Sequence, residues 1–378
     1  MSPKKRIVVA MSGGVDSGVA AARLHDAGHE VVGVTLHLWD YPDDPEAKGG
    51  HGRCCAPEDQ YDARRTADAL GFPHFTFDRR ELFAKIVVGP FVEAYLAGET
   101  PSPCSACNRG VKTAELFALA DRLGADAVAT GHYARIGRDP DGTPFLACGL
   151  DPKKDQSYFL YTTPREKLER LIFPLGESTK AEVRAEAIAR NLPGATKGES
   201  QELCFVGCAH AYTSFVEERA NGRVRPGNIL GQDGRVVGKH EGMHRFTIGQ
   251  RKGLGVALGT PAFVTEIDSA SGDVTLGDES ALFVDTAQLE DVVLAPGITL
   301  PLEARVRVRY RHEGALAAIR ATASAGGNAT QSAIAEFREP VRAVTHGQTA
   351  VFYDGDRVLG GARIAAHTKT EKRATIAS

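Results

Sequence analysis

Arg6-Ile7-Val8-Val9-Ala10-Met11-Ser12-Gly13-Gly14-Val15-Asp16-Ser17 is the stretch on which the fold turns. Arg6–Met11 has the short, unbroken apolar run of a buried strand, and Val15–Ala27 has the spacing of a helix that stops at Gly28. Ser12–Ser17 therefore follows a strand and opens a helix. In that position glycines let the backbone approach an anion closely, the N–H groups of the helix start point at it, and serine hydroxyls add donors. The loop has no lysine, so it lacks the point charge that supports γ-phosphate transfer in Walker-type loops. A cradle for pyrophosphate, with attack at the α-phosphate, suits these residues better, and Asp16 would help to hold magnesium. The competing reading is a glycine-rich turn with an Asp or Ser N-cap.

The alternation continues outward from the loop. Val31–Leu36 reads as a strand, Pro57–Leu70 as a helix, His74–Phe77 as a strand and Arg80–Ala97 as a helix bent near Pro90. Ala106–Leu123 reads as a helix ending at Gly124, and Ala127–Thr130 as a strand. This spacing predicts a parallel sheet with crossover helices. Past residue 208 the texture changes. A short helix, Ala211–Arg219, gives way to glycine-rich turns, and from about 285 strands dominate. Ala304–Tyr310 alternates with period two, and Tyr353-Asp354-Gly355-Asp356 signals a hairpin turn. The expectation is an α/β protein. Residues 1–208 form a Rossmann-like parallel-sheet nucleotide domain, 209–284 a small mixed domain, 285–366 a C-terminal β-barrel and 367–378 a polar, frayed tail.

The 378 residues, 42% hydrophobic and 25% charged, exclude a disordered tail protein, a collagen-like fibre and a coiled coil. Apolar runs are too short to span a bilayer, and the run after Lys4-Lys5-Arg6 is too short for a signal-peptide core, so a cytoplasmic protein is expected. Net charge is −3, distributed as −4 over 1–208, −1 over 209–284 and +2 over 285–378. A polyanion must therefore be held by local patches.

Seven cysteines, an odd number in a long chain, argue against a disulfide framework. Cys104-Ser105-Ala106-Cys107 precedes a predicted helix, where the backbone dipole and Arg109 would favour a thiolate at Cys107. Cys204 lies in the glycine-flanked stretch Gly198–Gly207. Three readings stand side by side: inert buried thiols, a zinc site from Cys104, Cys107, Cys204 and Cys208, or a catalytic dithiol of Cys107 with Cys204. Cys54, Cys55 and Cys148 are read as structural.

The loop Ser12–Ser17 resembles that of the ATP pyrophosphatase (PP-loop) superfamily, of adenine nucleotide alpha hydrolase type. Ala10, Met11, Ser12, Gly13, Gly14, Val15, Asp16 and Ser17 would then surround the phosphates, with Leu36 and Gly131 where adenine and ribose lie. Taken with Pro101–Asn108, Thr130–Tyr133, Lys154–Leu160, Cys204-Phe205, Thr247–Leu254 and Gly347–Tyr353, the chain resembles the bacterial tRNA-specific 2-thiouridylases over nearly its whole length. The resemblance implies an enzyme, a tRNA-uridine 2-sulfurtransferase using ATP and magnesium. It would adenylate the 2-carbonyl oxygen of the wobble uridine in tRNAs of the Lys, Glu and Gln type. Cys204 would carry a persulfide from a sulfur donor protein, a cysteine desulfurase or a sulfur-relay protein. Cys107 would be the nucleophile that releases the sulfur and closes a transient disulfide with Cys204. Many relatives have Asn and Asp where Ser102 and Cys104 stand here, so Cys104 is either an auxiliary thiol or, with Cys107 and Cys204, a ligand of an iron–sulfur cluster.

The Lys153-Lys154-Asp155-Gln156 turn and the Gln250-Arg251-Lys252 loop, and the alternating Arg305, Arg307, Arg309 and Arg311 about 7 Å apart on one strand face, suit a nucleic-acid backbone or are simply solvated. By resemblance, His132, Lys154, Asp155, Gln156, Arg309, Tyr310, Arg311 and Gln348 are the tRNA contacts. The rivals are another PP-loop ligase or amidotransferase and a noncatalytic zinc-bearing RNA-binding protein.

Overall fold

The computed structural model describes residues 3–40, 57–198, 203–206, 212–257, 259–322 and 331–369. The chain divides into two compact units. The first comprises Met1–Val88, Cys104–Ala211 and Asp356–Val358; the second comprises Gly89–Pro103, Tyr212–Gly355 and Leu359–Ser378. Among the described residues no helix is long and apolar enough to cross a membrane.

The chain runs through β1 (Arg6–Ala10), α1 (Val15–Asp26), β2 (Glu30–His37), α2 (Pro57–Leu70), β3 (His74–Asp78), α3 (Arg80–Phe83) and α4 (Gly89–Leu96). It continues through α5 (Pro103–Cys107), α6 (Thr113–Arg122), β4 (Ala127–Ala129), a hairpin of β5 (Ala134–Arg138) and β6 (Pro144–Cys148), α7 (Arg165–Leu168), β7 (Leu171–Ile172) and α8 (Lys180–Ala189). In the first unit, β3-β2-β1-β4-β7 form a parallel sheet in that order, with Val8 paired to Val32 on one side and Val128 on the other. Ile7, Val8 and Val9 are fully buried because helices cover both faces, which is why the strand carries no polar alternation. Helix α1 is buried on nearly all sides. Ala21 and Leu24 pack toward the sheet and α2, while Val19, Ala20 and Ala22 pack against Val183 and Ala187 of α8. From β1 the chain moves out to β2 and β3 and then returns to β4 on the opposite side. The carboxyl ends of β1 and β4 therefore flank a topological switch point, where an open α/β sheet has its crevice.

Two helical expectations need correction. The stretch 80–97 is not a single helix bent at proline, because a π-helical turn, Ala84–Val88, intervenes between α3 and α4. Pro90 cannot donate a backbone hydrogen bond and crowds the carbonyl four residues earlier, and a widened turn relieves both problems. The helix expected at Ala106 begins earlier, at Pro103, where proline suits a first helical position, and α5 is followed by a second π-helical turn, Asn108–Lys112. Cys107 therefore ends α5 and does not stand at a helix N-terminus. The dipole assistance expected for its thiolate is absent.

The second unit contains α9 (Tyr212–Arg219) and a four-stranded sheet of β8 (Gly227–Leu230), β9 (Val236–His240), β10 (Phe263–Ile267) and β11 (Val274–Gly277), in the order β10-β11-β8-β9. Ile229, Met243, Val264 and Leu276 form its core. The strands β12 (Phe283–Leu294), β13 (Leu302–Arg307), β14 (Ala315–Ala321), β15 (Ala333–Arg342), β16 (Thr349–Asp354) and β17 (Arg357–Lys369) follow. They pair in the order β12-β15-β14-β13-β16-β17, and β17 returns to β12, so these six strands close into the expected barrel. Val306, Ile319, Ala335 and Ile364 fill its interior.

The strand expected to reach Tyr310 stops at Arg307. Ala315, the first residue of β14, already pairs with Val306, so the ladder has no partner beyond, and the chain bends through 308–314 instead. Residues 367–369, expected to open a frayed tail, belong to β17. The backbone of His367 pairs with Ala287 and that of Lys369 with Val284, because closing the barrel uses the whole length of β17. Ala211 and residues 370–378 lie outside the described residues.

Candidate active site

The loop after β1 is held by its own serines. Ser17 Oγ accepts from the Ser12 amide at 3.1 Å and donates to the Gly14 carbonyl at 3.0 Å. Gly13 has φ +76°, and a Cβ there would lie 1.9 Å from the Asp59 carbonyl oxygen of α2, so only glycine fits. Gly14 is the N-cap of α1 and provides no side-chain cap, which leaves the first helical amides to face the crevice. Across the switch point, Gly131 packs so closely that a Cβ would meet the Asp16 carbonyl carbon and the Ser17 nitrogen at 2.9 Å. Uncapped amides, a glycine that accepts no side chain and paired hydroxyls make a cradle that fits a phosphate group.

A cavity of about 240 Å³ opens on this loop. Ten of the residues expected at the site line it: Ala10, Met11, Ser12, Asp16, Ser17, Leu36, Gly131, His132, Gln156 and Cys204. Gly13, Gly14 and Val15 complete the turn behind them. Its apolar wall comes from Leu116, Phe117 and Phe173. Asn108, the residue after Cys107, also lines the cavity, and its side-chain amide donates to the Phe159 carbonyl at 3.3 Å.

Cys204 is half-buried on the cavity wall, Cys107 is buried and Cys104 is exposed. Phe205 anchors the Cys204 segment, its ring 5.6 Å from Phe83 and 6.3 Å from Trp39, both edge-on. Among the described residues no three His, Cys, Asp or Glu side chains gather as a metal-binding group, so Cys104, Cys107 and Cys204 do not converge as cluster ligands. Cys208, the fourth member of the zinc reading, and Cys54-Cys55 lie outside the described residues.

Charge in the site is concentrated on Asp16. Lys180 Nζ donates to both of its carboxylate oxygens, at 2.6 and 2.7 Å, and the Tyr133 hydroxyl donates to one of them at 2.8 Å. Lys180 occupies the first position of α8, whose N-cap Thr179 forms a capping box with Glu182. Behind the loop, Lys197 pairs with Asp59 and Asp62 at 2.7 and 2.5 Å. Burial pushes the Asp59 carboxyl above its usual range although Lys197 opposes the shift. Sequence reading missed Lys180, Lys197 and Lys112, which lines the cavity. The capping-box pattern of Thr179 and Glu182 could have drawn attention to Lys180, whereas nothing local marks the other two.

The residues expected to touch tRNA fall into different settings. His132 lines the cavity, with Nδ1 2.8 Å from Thr130 Oγ1, and desolvation aided by the Lys112 charge holds its pKa down to about 3, so the ring is neutral. Gln156 accepts the Tyr133 amide at 3.1 Å. Asp155 is buried and accepts from the Gly149 and Ser157 amides at 3.1 Å, so its carboxylate holds the turn together. Lys154 is half-buried. In the second unit, Gln348 donates its amide to the Thr100 carbonyl at 3.0 Å, and Arg309 donates to the Arg342 carbonyl at 3.2 Å. Arg311 is exposed and Tyr310 half-buried. The four-arginine stripe is not one strand face. Only Arg305 and Arg307 lie on β13, and Arg307 covers the Tyr353 ring, its guanidinium carbon 4.4 Å from the centroid.

A parallel sheet with a glycine cradle at its switch point and thiol-bearing segments at the same crevice defines a PP-loop nucleotide protein of the HUP class. Residues 5–208 match the tRNA methyl transferase HUP domain, 213–278 the tRNA methyl transferase PRC-barrel domain and 287–364 the aminomethyltransferase beta-barrel domain. The chain is 61% identical to the tRNA-specific 2-thiouridylase MnmA of Sorangium cellulosum, over 97% of this chain and 94% of that protein. It is 45% identical to the protein of that name from Geotalea uraniireducens, over 97% of both chains, and 46% identical to that of Moorella thermoacetica, over 94% and 98%. The chain belongs to the tRNA-specific 2-thiouridylase family.

Proposed function

We propose that this protein replaces the 2-oxygen of the wobble uridine of tRNA with sulfur, using ATP to activate the oxygen. The observation that carries this reading is the single cavity shared by the Ser12–Ser17 cradle, Asn108 and Cys204. Activation and sulfur delivery must act on the same carbon, and a shared pocket supplies both by proximity. The cradle amides and Ser17 bind the phosphates. Gly131 and Leu36, at the ends of β4 and β2, border the nucleoside, and Asp16, once Lys180 releases it, would be the carboxylate that holds magnesium. Neutral His132 positions the base by hydrogen bonding without adding charge.

Cys204 carries the sulfur as a persulfide loaded by a donor protein. The Cys107 thiolate attacks the Cys204 inner sulfur, a Cys107–Cys204 disulfide forms, and hydrosulfide leaves with the bonding electron pair. Hydrosulfide then adds to the activated carbon, AMP departs with the former 2-oxygen, and an external dithiol reduces the disulfide. Cys107 is buried, so its attack needs the α5 end to open. The activity for which the relatives are named and the match to the HUP domain support the substrate and the nucleotide.

Incubation with tRNA, ATP and a sulfide source should yield AMP, pyrophosphate and tRNA retarded on a mercury-containing gel. Release of phosphate in place of pyrophosphate, or tRNA of unchanged mobility, would refute the reading. Labelling by the Cys107→Ser form at near the parent rate with a persulfide donor would remove Cys107 from the scheme.

A further inference from the structure

The PP-loop carries no lysine, yet the structure brings one to it. We propose that Lys180, which starts α8 and is 164 positions from Asp16 in sequence, is the cation that neutralises the pyrophosphate leaving group. The inference rests on the nucleotide reading above and assigns that site's missing positive charge.

Three observations support it. First, the ammonium is fixed at the loop itself, 2.6 and 2.7 Å from the two oxygens of Asp16, and Asp16 lines the nucleotide cavity in the first turn of α1. Drawn from Asp16 toward an anion on the adjacent Ser12–Ser17 amides, the ammonium brings its charge into a sheltered site, where that charge acts strongly. The Lys180 side chain is 15% exposed. Second, its backbone is tightly held. The capping box of Thr179 and Glu182 fixes the first turn of α8, and the Lys180 amide donates to Asp151 at 3.0 Å. The side chain is therefore aimed by a rigid helix start while its ammonium can exchange acceptors. Third, Tyr133 shares the Asp16 carboxylate through a hydroxyl donor at 2.8 Å, so Asp16 keeps a partner when Lys180 turns to phosphate oxygens. In the reaction the bond between the α-phosphorus and its bridging oxygen breaks, and the electron pair leaves on pyrophosphate. A lysine at the cradle stabilises that developing charge without moving a proton.

Binding of pyrophosphate, ATP and adenosine to the full-length protein, measured by calorimetry, tests this. Lys180→Met should weaken pyrophosphate and ATP roughly 10- to 100-fold, the loss of one charge-assisted contact, and leave adenosine within about threefold. Lys180→Arg should regain most of the pyrophosphate affinity. Lys180→Gln keeps a donor for Asp16 without the charge and is the form to measure if the methionine variant does not fold. Pyrophosphate affinity within twofold of the parent in these uncharged variants would overturn the proposal, as would equal losses for adenosine and pyrophosphate, the sign of a purely structural role. A parent protein that binds neither pyrophosphate nor adenosine would instead overturn the nucleotide reading, and with it this assignment.

Discussion

The nucleotide crevice of the first unit and the arginine-bearing β13 of the second were both read from local sequence, and they behaved differently. At the crevice, residues from β1, β2, β4 and the Cys204 segment converge on one cavity. On the barrel, the predicted stripe breaks after Arg307, and Arg305 and Arg309 turn to carbonyls of Gly314 and Arg342. The loop was legible because its turn demands a glycine at position 13. Gly13 cannot be anything else at φ +76° against Asp59. The stripe was read from periodicity, and period two states what a strand would look like without stating how far its partner extends.

The hardest test of the convergence is Cys204→Ser. With the persulfide donor supplied, thiolation measured by gel retardation should fall by at least about a thousandfold while nucleotide binding is unchanged, as for loss of a covalent carrier. Residual activity near the parent level would mean that Cys204 lines the cavity for packing alone.

A smaller effect separates the two loop glycines. Gly13→Ala should cost about 2–4 kcal/mol in chemical denaturation, from left-handed strain and a backbone clash. Gly14→Ala, whose Cβ would meet only Ser12 Oγ at 3.5 Å, should stay within about 1 kcal/mol. Equal losses would show that steric fit does not explain the motif.

His132 gives a finer measure. Burial, with the Lys112 charge, holds its pKa in the folded protein down to about 3, below the usual imidazole value of 6.5, so between these values the unfolded chain binds the extra proton. The stabilising contribution is present above about pH 6.5 and is lost as pH falls toward 3, with a slope of at most about 1.4 kcal/mol per pH unit. Denaturation midpoints of His132→Gln against pH should lack that component, and an unchanged acid limb would contradict the burial of a neutral ring.

The smallest effects belong to the barrel. Arg305→Ala and Arg309→Ala should each alter stability by under about 0.5 kcal/mol, and each should weaken tRNA by under about threefold in salt-dependent filter binding. A thirtyfold loss at either position would make that arginine a recognition contact although the strand stops at Arg307.

Much of the fold was legible in the sequence. The strand–loop–helix start, helix α2 at Pro57–Leu70 and the Gly355-Asp356 turn appear where their residues place them. The misreadings have two causes. The end of β13 and the length of β17 were fixed by pairing partners that local periodicity does not contain, whereas the start of α5 follows from Pro103, a local signal that was passed over. The mistaken thiolate argument for Cys107 followed directly from the misplaced helix start.

By itself the sequence determined the parallel sheet, the glycine cradle, the barrel and the family, because backbone sterics and the burial of apolar runs act over a few residues. Only the tertiary structure decided which charge pairs with the loop and which thiol lines its cavity. Lys180 meets Asp16, and Cys204 meets the wall of the Ser12–Ser17 cavity, through contacts between distant segments. Such pairings depend on how strands are ordered and helices packed, and a side chain's reach of a few ångströms gains meaning only once those layers are in place.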